Sequence, residues 1–195
     1  MSTPESSIRR ALDEASDALR TLQADHATLA ACERLTSLLV ECLRAGNKVL
    51  ICGNGGSACD TMHFAEELTG RFRDQRPPLA AIACTDPGHI TCTANDFGYE
   101  HVFSRWIQAL GRPGDAVVVL STSGNSPNIL RAVEEAARLG LHTVALLGKG
   151  GGAARALAQT AIVVPGGSSE RIQELHMLIL HAAVDGIERV LFPRA

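Results

Sequence analysis

Aromatic residues are scarce in this chain of 195 residues, making up 4% of it with a single tryptophan and a single tyrosine. So thin a supply disfavours the stacking platforms that hold single-stranded nucleic acid. A dominant charge is lacking too. The net charge is −3, and the 18 lysines and arginines are scattered, with no basic run. That balance argues against a nucleic-acid binder working through bulk electrostatics. No apolar run approaches the roughly 20 residues that a bilayer-spanning helix needs. The stretch Met1 to Ala30 is polar and helix-forming, without the apolar core of a signal peptide. The six cysteines (Cys32, Cys42, Cys52, Cys59, Cys84, Cys92) contain no CxxC pair, and most lie inside apolar stretches, where cysteine behaves as a small hydrophobe. This usage fits a reducing compartment better than a disulfide framework. A cytoplasmic protein with no nucleic-acid partner and no membrane partner is the expectation.

What is present is a sizeable core. Hydrophobic residues make up 46% of the chain, and the length suits one α/β domain spanning 1–195 rather than two. Ile8, Leu12, Ala15, Leu19 and Leu22 recur at helical spacing, and a second periodic stretch runs from Thr28 to Ala45, where Gly46-Asn47 supplies a left-handed cap. Two helices ahead of the first strand cannot both cover a sheet, so part of 1–47 is expected to contact another subunit. An alternation follows. Lys48–Cys52, Leu79–Ala83, Ala116–Leu120, Thr143–Leu147 and Ala161–Val164 read as strands buried on both faces. Helical patterns intervene at Ala58–Gly70, Ser126–Leu139, Gly151–Ala158 and Glu170–Leu191, and Asp86–Leu110 reads as short helices. Strand, helix, strand at these lengths predicts a parallel sheet with right-handed crossovers.

Ligands of such a sheet sit beyond the carboxyl ends of the strands, where two unusual turns fall. Cys52-Gly53-Asn54-Gly55-Gly56-Ser57 follows the first strand, and Ser121-Thr122-Ser123-Gly124-Asn125-Ser126 follows the third, with Pro127 placed to open a helix. Glycines permit close backbone approach, and free N–H groups at a helix start hold anions. A single serine there would be only an N-cap. A turn that supplies Ser121, Thr122, Ser123 and Ser126 together favours anion binding. Gly53-Asn54-Gly55-Gly56 lacks the GxGxxG spacing, and no GK[ST] follows, so a small phosphate ester is favoured over a nucleotide.

The helix after the first turn carries Asp60, His63, Glu66 and Glu67. His63 and Glu67 stand four apart and share a face on which an ion or substrate could be held, with Glu66 turned toward solvent or a salt-bridge partner. By itself this spacing is more often a surface pair. The last helix brings Gln173, His176 and His181 into an apolar pattern, in which a lone histidine is usually a satisfied core residue. Gln173 and His181 are about 12 Å apart along an ideal helix and some ~80° out of register. Both reach one ion only by leaning together or if two copies of the helix contribute, which favours a site at a subunit interface.

Taken in order, Cys52 to Ser57, Met62-His63-Phe64-Ala65-Glu66-Glu67-Leu68-Thr69-Gly70-Arg71, Ala94-Asn95-Asp96-Phe97-Gly98, Ser121 to Ser126, and Arg171-Ile172-Gln173-Glu174 with His181 closely resemble the phosphoheptose isomerases of the sugar-isomerase (SIS) domain family, across essentially the whole chain. The resemblance implies a five-stranded parallel sheet flanked by helices in a three-layer α/β sandwich, assembled as a homotetramer with interface active sites. It implies interconversion of sedoheptulose 7-phosphate and D-glycero-D-manno-heptose 7-phosphate through an enediol. On this likeness Ser121, Thr122, Ser123 and Ser126 hold phosphate, while Asn54, Gly55, Gly56, Ser57, Asn95 and Asp96 line the sugar, joined by Glu67 and Gln173. One zinc ion per subunit falls to His63, Glu67, Gln173 and His181, and the acid–base pair to Glu67 and His181. The loop Val164 to Ser169 is slightly short for the pattern. Competing expectations are a non-catalytic relative that binds a protein, a sugar-phosphate sensor, and an isomerase of another sugar phosphate. The first is disfavoured by the presence of Glu67, Gln173 and His181, and the second by the lack of a basic recognition helix in Met1–Asn47.

Overall fold

The structure, a computed structural model, describes residues 3–193. Its five strands are β1 (Val49–Gly53), β2 (Ala81–Ala83), β3 (Ala116–Ser121), β4 (His142–Leu147) and β5 (Thr160–Val163). All neighbours pair in parallel, in the spatial order β2-β1-β3-β4-β5. The helices are α1 (Pro4–Ala24), α2 (His26–Arg44), α3 (Gly56–Thr69), α4 (Pro87–Phe97), α5 (Val102–Leu110), α6 (Pro127–Arg138), α7 (Ala154–Leu157) and α8 (Ser169–Leu191), with a 3-10 turn at Tyr99–His101. The chain leaves β1 toward one edge of the sheet and β3 toward the other. The gap between β1 and β3 is therefore the topological switch point, where a doubly wound sheet opens a crevice.

Alternating strand residues build two cores. Val49, Ile51, Val118, Leu120, Val144 and Leu146 meet α2, α3 and α8 on one face. Leu50, Cys52, Val117, Val119, Ala145 and Leu147 meet α5 and α6 on the other. Because α3 and α6 lie on opposite faces, the turns that launch them diverge across the crevice. Three details depart from the sequence reading. β1 and β2 begin later than expected, and α7 keeps only the middle of Gly151–Ala158. Burial on both faces holds for β1 and β3, whereas Ile82 in edge strand β2 is 40% exposed. An edge strand lacks the second neighbour whose helices would cover it. α2 lies in the core, while α1 buries only Ala18 and Leu22 and leaves Ile8 and Leu12 exposed.

His176 also differs from expectation. It is fully buried on α8, yet neither ring nitrogen has a hydrogen-bond partner. Its approach to the Leu147 backbone falls short of a hydrogen bond, and burial pushes its pKa down to about 4. Folding thus favours the neutral ring, so the contribution to stability is full above the ordinary value of 6.5 and is lost as pH falls toward 4. At about 1.4 kcal/mol per pKa unit, full protonation removes about 3 kcal/mol. Replacing His176 with Leu is expected to flatten that acid-side loss, measured by urea unfolding between pH 7 and 4. A variant with the wild-type slope would assign the acid lability elsewhere.

Candidate active site

The first turn runs from Gly53 into α3. A Cβ on Gly56 would lie 2.7 Å from Gln173 Nε2, so the glycine leaves room for the Gln173 amide to rest against this turn. The Gln173 amide then donates to buried Ser57 Oγ at 3.4 Å. In the second turn, Gly124 has φ +65°, and a Cβ there would sit 1.9 Å from the Gly151 carbonyl. Ser121 Oγ accepts from Gly124 N at 3.0 Å and Ser123 Oγ from Asn125 N at 3.2 Å, which braces the turn while leaving both O–H groups able to donate. Thr122 Oγ1 lies 3.3 Å from Ser169 Oγ, and Ser126 stands at the N-cap of α6 without spending its side chain on a cap. Hydroxyls and helix-start N–H groups therefore converge on one edge of the crevice, a good geometry for an anion.

The two turns are tied together. Asn54 Nδ2 donates to Asn128 Oδ1 at 2.9 Å, Asn128 Nδ2 donates back to Asn54 Oδ1 at 2.8 Å, and Tyr99 Oη donates to Asn54 Oδ1 at 3.0 Å. Asn95 and Asp96 lie exposed on the last turn of α4 and hydrogen-bond to each other at 2.7 Å.

Lower on α3 the second group assembles. His63 Nε2 and His181 Nε2 stand 3.3 Å and 3.2 Å from Glu67 Oε1, and the ligand atoms of the three residues all lie within 4.8 Å of one another. The His181 ring sits edge-on to His63 at 5.1 Å and stacks on Phe72 at 5.9 Å. Glu67 is buried, and its Oε2 has no hydrogen-bond partner. Burial pushes the carboxyl pKa up, with His181 and then His63 pulling it down. Two imidazoles and an unsatisfied buried carboxylate make a donor set suited to a divalent cation of the zinc type. Glu66 is exposed, 3.9 Å from His63. Asp60, one turn earlier, has a buried Oδ2 without a partner and a pKa raised by burial.

Gln173 does not join this trio within the chain. Gln173 meets Ser57 and His181 meets Glu67, so α3 and α8 run parallel with the two contacts far apart. Ten residues of α3 separate Ser57 from Glu67, about 15 Å at ~1.5 Å per residue. The first turn with Gln173, and the His63–Glu67–His181 trio, are two separate clusters within the chain. A cavity of about 590 Å³ lies at neither of them. It lies among Arg73, Arg76, Asp185, Glu188 and Arg189, whose charges are paired with one another.

The chain matches the SIS domain family over residues 12–148. It is 52% identical over 161 residues to the phosphoheptose isomerase of Fusobacterium nucleatum, covering 83% of each chain. It is 50% identical over 183 residues to that of Vibrio vulnificus, covering 93% of this chain and 96% of the relative. The solved phosphoheptose isomerase GmhA of Neisseria gonorrhoeae superposes with a TM-score of 0.89 at 38% identity, covering 95% of this chain and 99% of that one. This chain belongs to the phosphoheptose isomerase family of SIS-domain proteins. The family's three-layer α/β sandwich with a five-stranded parallel sheet is the fold described above.

Sequence reasoning singled out neither Asn128, Tyr99, Phe72 nor Arg76. Asn128 directly follows Pro127 at the end of the hydroxyl-rich turn, and Tyr99 is the chain's sole tyrosine; those were the available signals. For this phosphoheptose isomerase family member, removing an imidazole from the trio is expected to weaken cation binding. His63→Ala should purify with less zinc and lose the rise in melting temperature on zinc addition. Equal metal content in wild type and variant would remove His63 from the donor set.

Proposed function

We propose that this chain isomerises sedoheptulose 7-phosphate to D-glycero-D-manno-heptose 7-phosphate, an aldose–ketose conversion at the entry to activated heptose. The observation that carries this reading is the buried Glu67 carboxylate, held by two imidazoles through Oε1 while Oε2 is free. The phosphate binds the hydroxyls of Ser121, Thr122, Ser123 and Ser126 with the N-terminus of α6, and the sugar runs along Asn54, Gly55, Gly56 and Ser57. Asn95 and Asp96 contact its hydroxyls from α4.

The reaction moves a proton between C1 and C2 through an enediol and needs one base near both carbons. Glu67 Oε2 has the free lone pairs for this, and burial strengthens it as a base by raising its pKa. His181, stacked on Phe72, holds or delivers the proton at the neighbouring oxygen and assists ring opening. His63, Glu67 and His181, completed by Gln173, hold one zinc ion per subunit. A cation there supplies Lewis acidity toward the carbonyl and hydroxyl oxygens. Remote phosphate binding positions the reacting end, so the serine turn serves turnover as well as affinity.

The about 15 Å that separate the two clusters along α3 support a homotetramer in which the trio of one subunit meets the turns and Gln173 of another. Exposed Ile8 and Leu12 on α1 fit burial between subunits. The whole chain, 1–195, acts as a single SIS domain in the cytoplasm. No helix among the described residues is long and apolar enough to cross a membrane.

Incubation with sedoheptulose 7-phosphate should yield the aldose by NMR, with solvent deuterium entering the substrate carbon. Glu67→Gln should abolish that incorporation, and wild-type exchange in the variant would exclude Glu67 as the base. The shared site has its own check. A Thr122→Ala/Ser123→Ala double variant and Glu67→Gln, each inactive, should regain activity when unfolded together and reassembled, because hybrids contain intact sites. No recovery in verified hybrid tetramers would place each site within one chain.

A further inference from the structure

The amides of Asn54 and Asn128 form a closed reciprocal pair between the two turns, at 2.9 Å and 2.8 Å. Asn54 precedes α3 on one face of the sheet, and Asn128 lies in the first turn of α6 on the other. Asn128 is almost completely buried, while the Tyr99 hydroxyl, from the 3-10 turn after α4, fills the second lone pair of Asn54 Oδ1. The side-chain accounting is nearly closed. Asn54 Oδ1 has two donors, and only one N–H of Nδ2 remains for a ligand. An amide so committed reads little of a sugar directly. Its role is to hold the two lips of the switch-point crevice at a set separation.

We propose that Asn128, supported by Tyr99, is a positioning residue that fixes the distance between the phosphate turn and the sugar-lining turn, and so the span of sugar phosphate the site accepts. The inference rests on the proposed function only in taking one ligand to bridge both turns. A ligand that fills the second turn alone should not sense the coupling, whereas a ligand that bridges both should. A group that merely supported the fold would weaken both alike.

The test uses Asn128→Leu, neutral and close in shape, and Tyr99→Phe, which removes only a hydroxyl from a residue that is 53% exposed. Three quantities are measured for each: kcat and KM for sedoheptulose 7-phosphate, the competitive inhibition and binding constants of inorganic phosphate, and the binding constant of a six-carbon ketose phosphate. Loss of a buried hydrogen-bonded partner should lower kcat/KM about tenfold in Asn128→Leu and less in Tyr99→Phe. The phosphate constants should stay within about twofold, a change too small to count as a lost hydrogen bond. The preference for the seven-carbon over the six-carbon ligand should narrow.

Wild-type kinetics and preference in both variants would overturn the proposal. So would phosphate constants that worsen in step with KM, since Asn128 would then only support the serine turn. If Asn128→Leu does not fold, Tyr99→Phe decides by the same criteria. If the wild type binds phosphate but does not isomerise the heptulose phosphate, the proposed reaction fails while the binding constants still judge the coupling.

Discussion

Arg76 ties together the two helices that bring Glu67 and His181 into contact. Its guanidinium is almost entirely buried, pairs with Glu188 on α8 at 2.7 Å, and donates to the Leu68 and Glu67 carbonyls at the end of α3 at 2.8 Å and 2.6 Å. A buried ion pair is a poor source of net stability, because desolvation offsets much of the attraction. Its value lies in geometry. The fork of donors engages orphan carbonyls at a helix end while its charge is met from a second helix, so α3 and α8 are held in one register. That register sets His181 opposite Glu67 at one level and Gln173 opposite Ser57 at another.

The parallel register has a consequence for chemistry. Both helices follow strands, so both start at the carboxyl edge and run away from it. Residues in their first turns stay beside the ligand crevice, and residues two or three turns on are carried out of its reach. The trio therefore lies well below the two glycine- and hydroxyl-rich turns of its own chain. A single chain thus presents its hydroxyl-rich turn and its His63–Glu67–His181 trio at separate places, while α1 leaves Ile8 and Leu12 exposed.

The switch point makes the opposite contribution, bringing distant segments together. β1 and β3 are adjacent, yet the helices after them go to opposite faces, so Asn54 and Asn128 can meet although 74 positions separate them. Gly56 and Gly124 serve the same closure by removing side chains that would strike Gln173 and the Gly151 carbonyl. The site's precision thus rests on backbone proximity, which the glycines permit, and on amide pairing, which limits how far the lips can part.

Much of this was legible in the residues themselves. Short apolar runs and 3.6-residue periodicity are local properties, so the strands, the helices and the two anion-type turns could be read directly, whereas helical spacing put His63 and Glu67 on one face and only the family resemblance gave them a role. Edge-strand exposure, the short α7, and the burial of His176 without a partner were not legible, because burial depends on what packs from elsewhere. Asn128, Tyr99, Phe72 and Arg76 were missed for a related reason: each acts through a contact made across the fold rather than along the chain. The sequence by itself determined which chemistry was available, namely hydroxyl-rich turns, a carboxylate and imidazoles on helices. Only the tertiary structure decided which of these groups meet, because the parallel register of α3 and α8 joins His181 to Glu67 and leaves Gln173, eight residues earlier on α8, against Ser57.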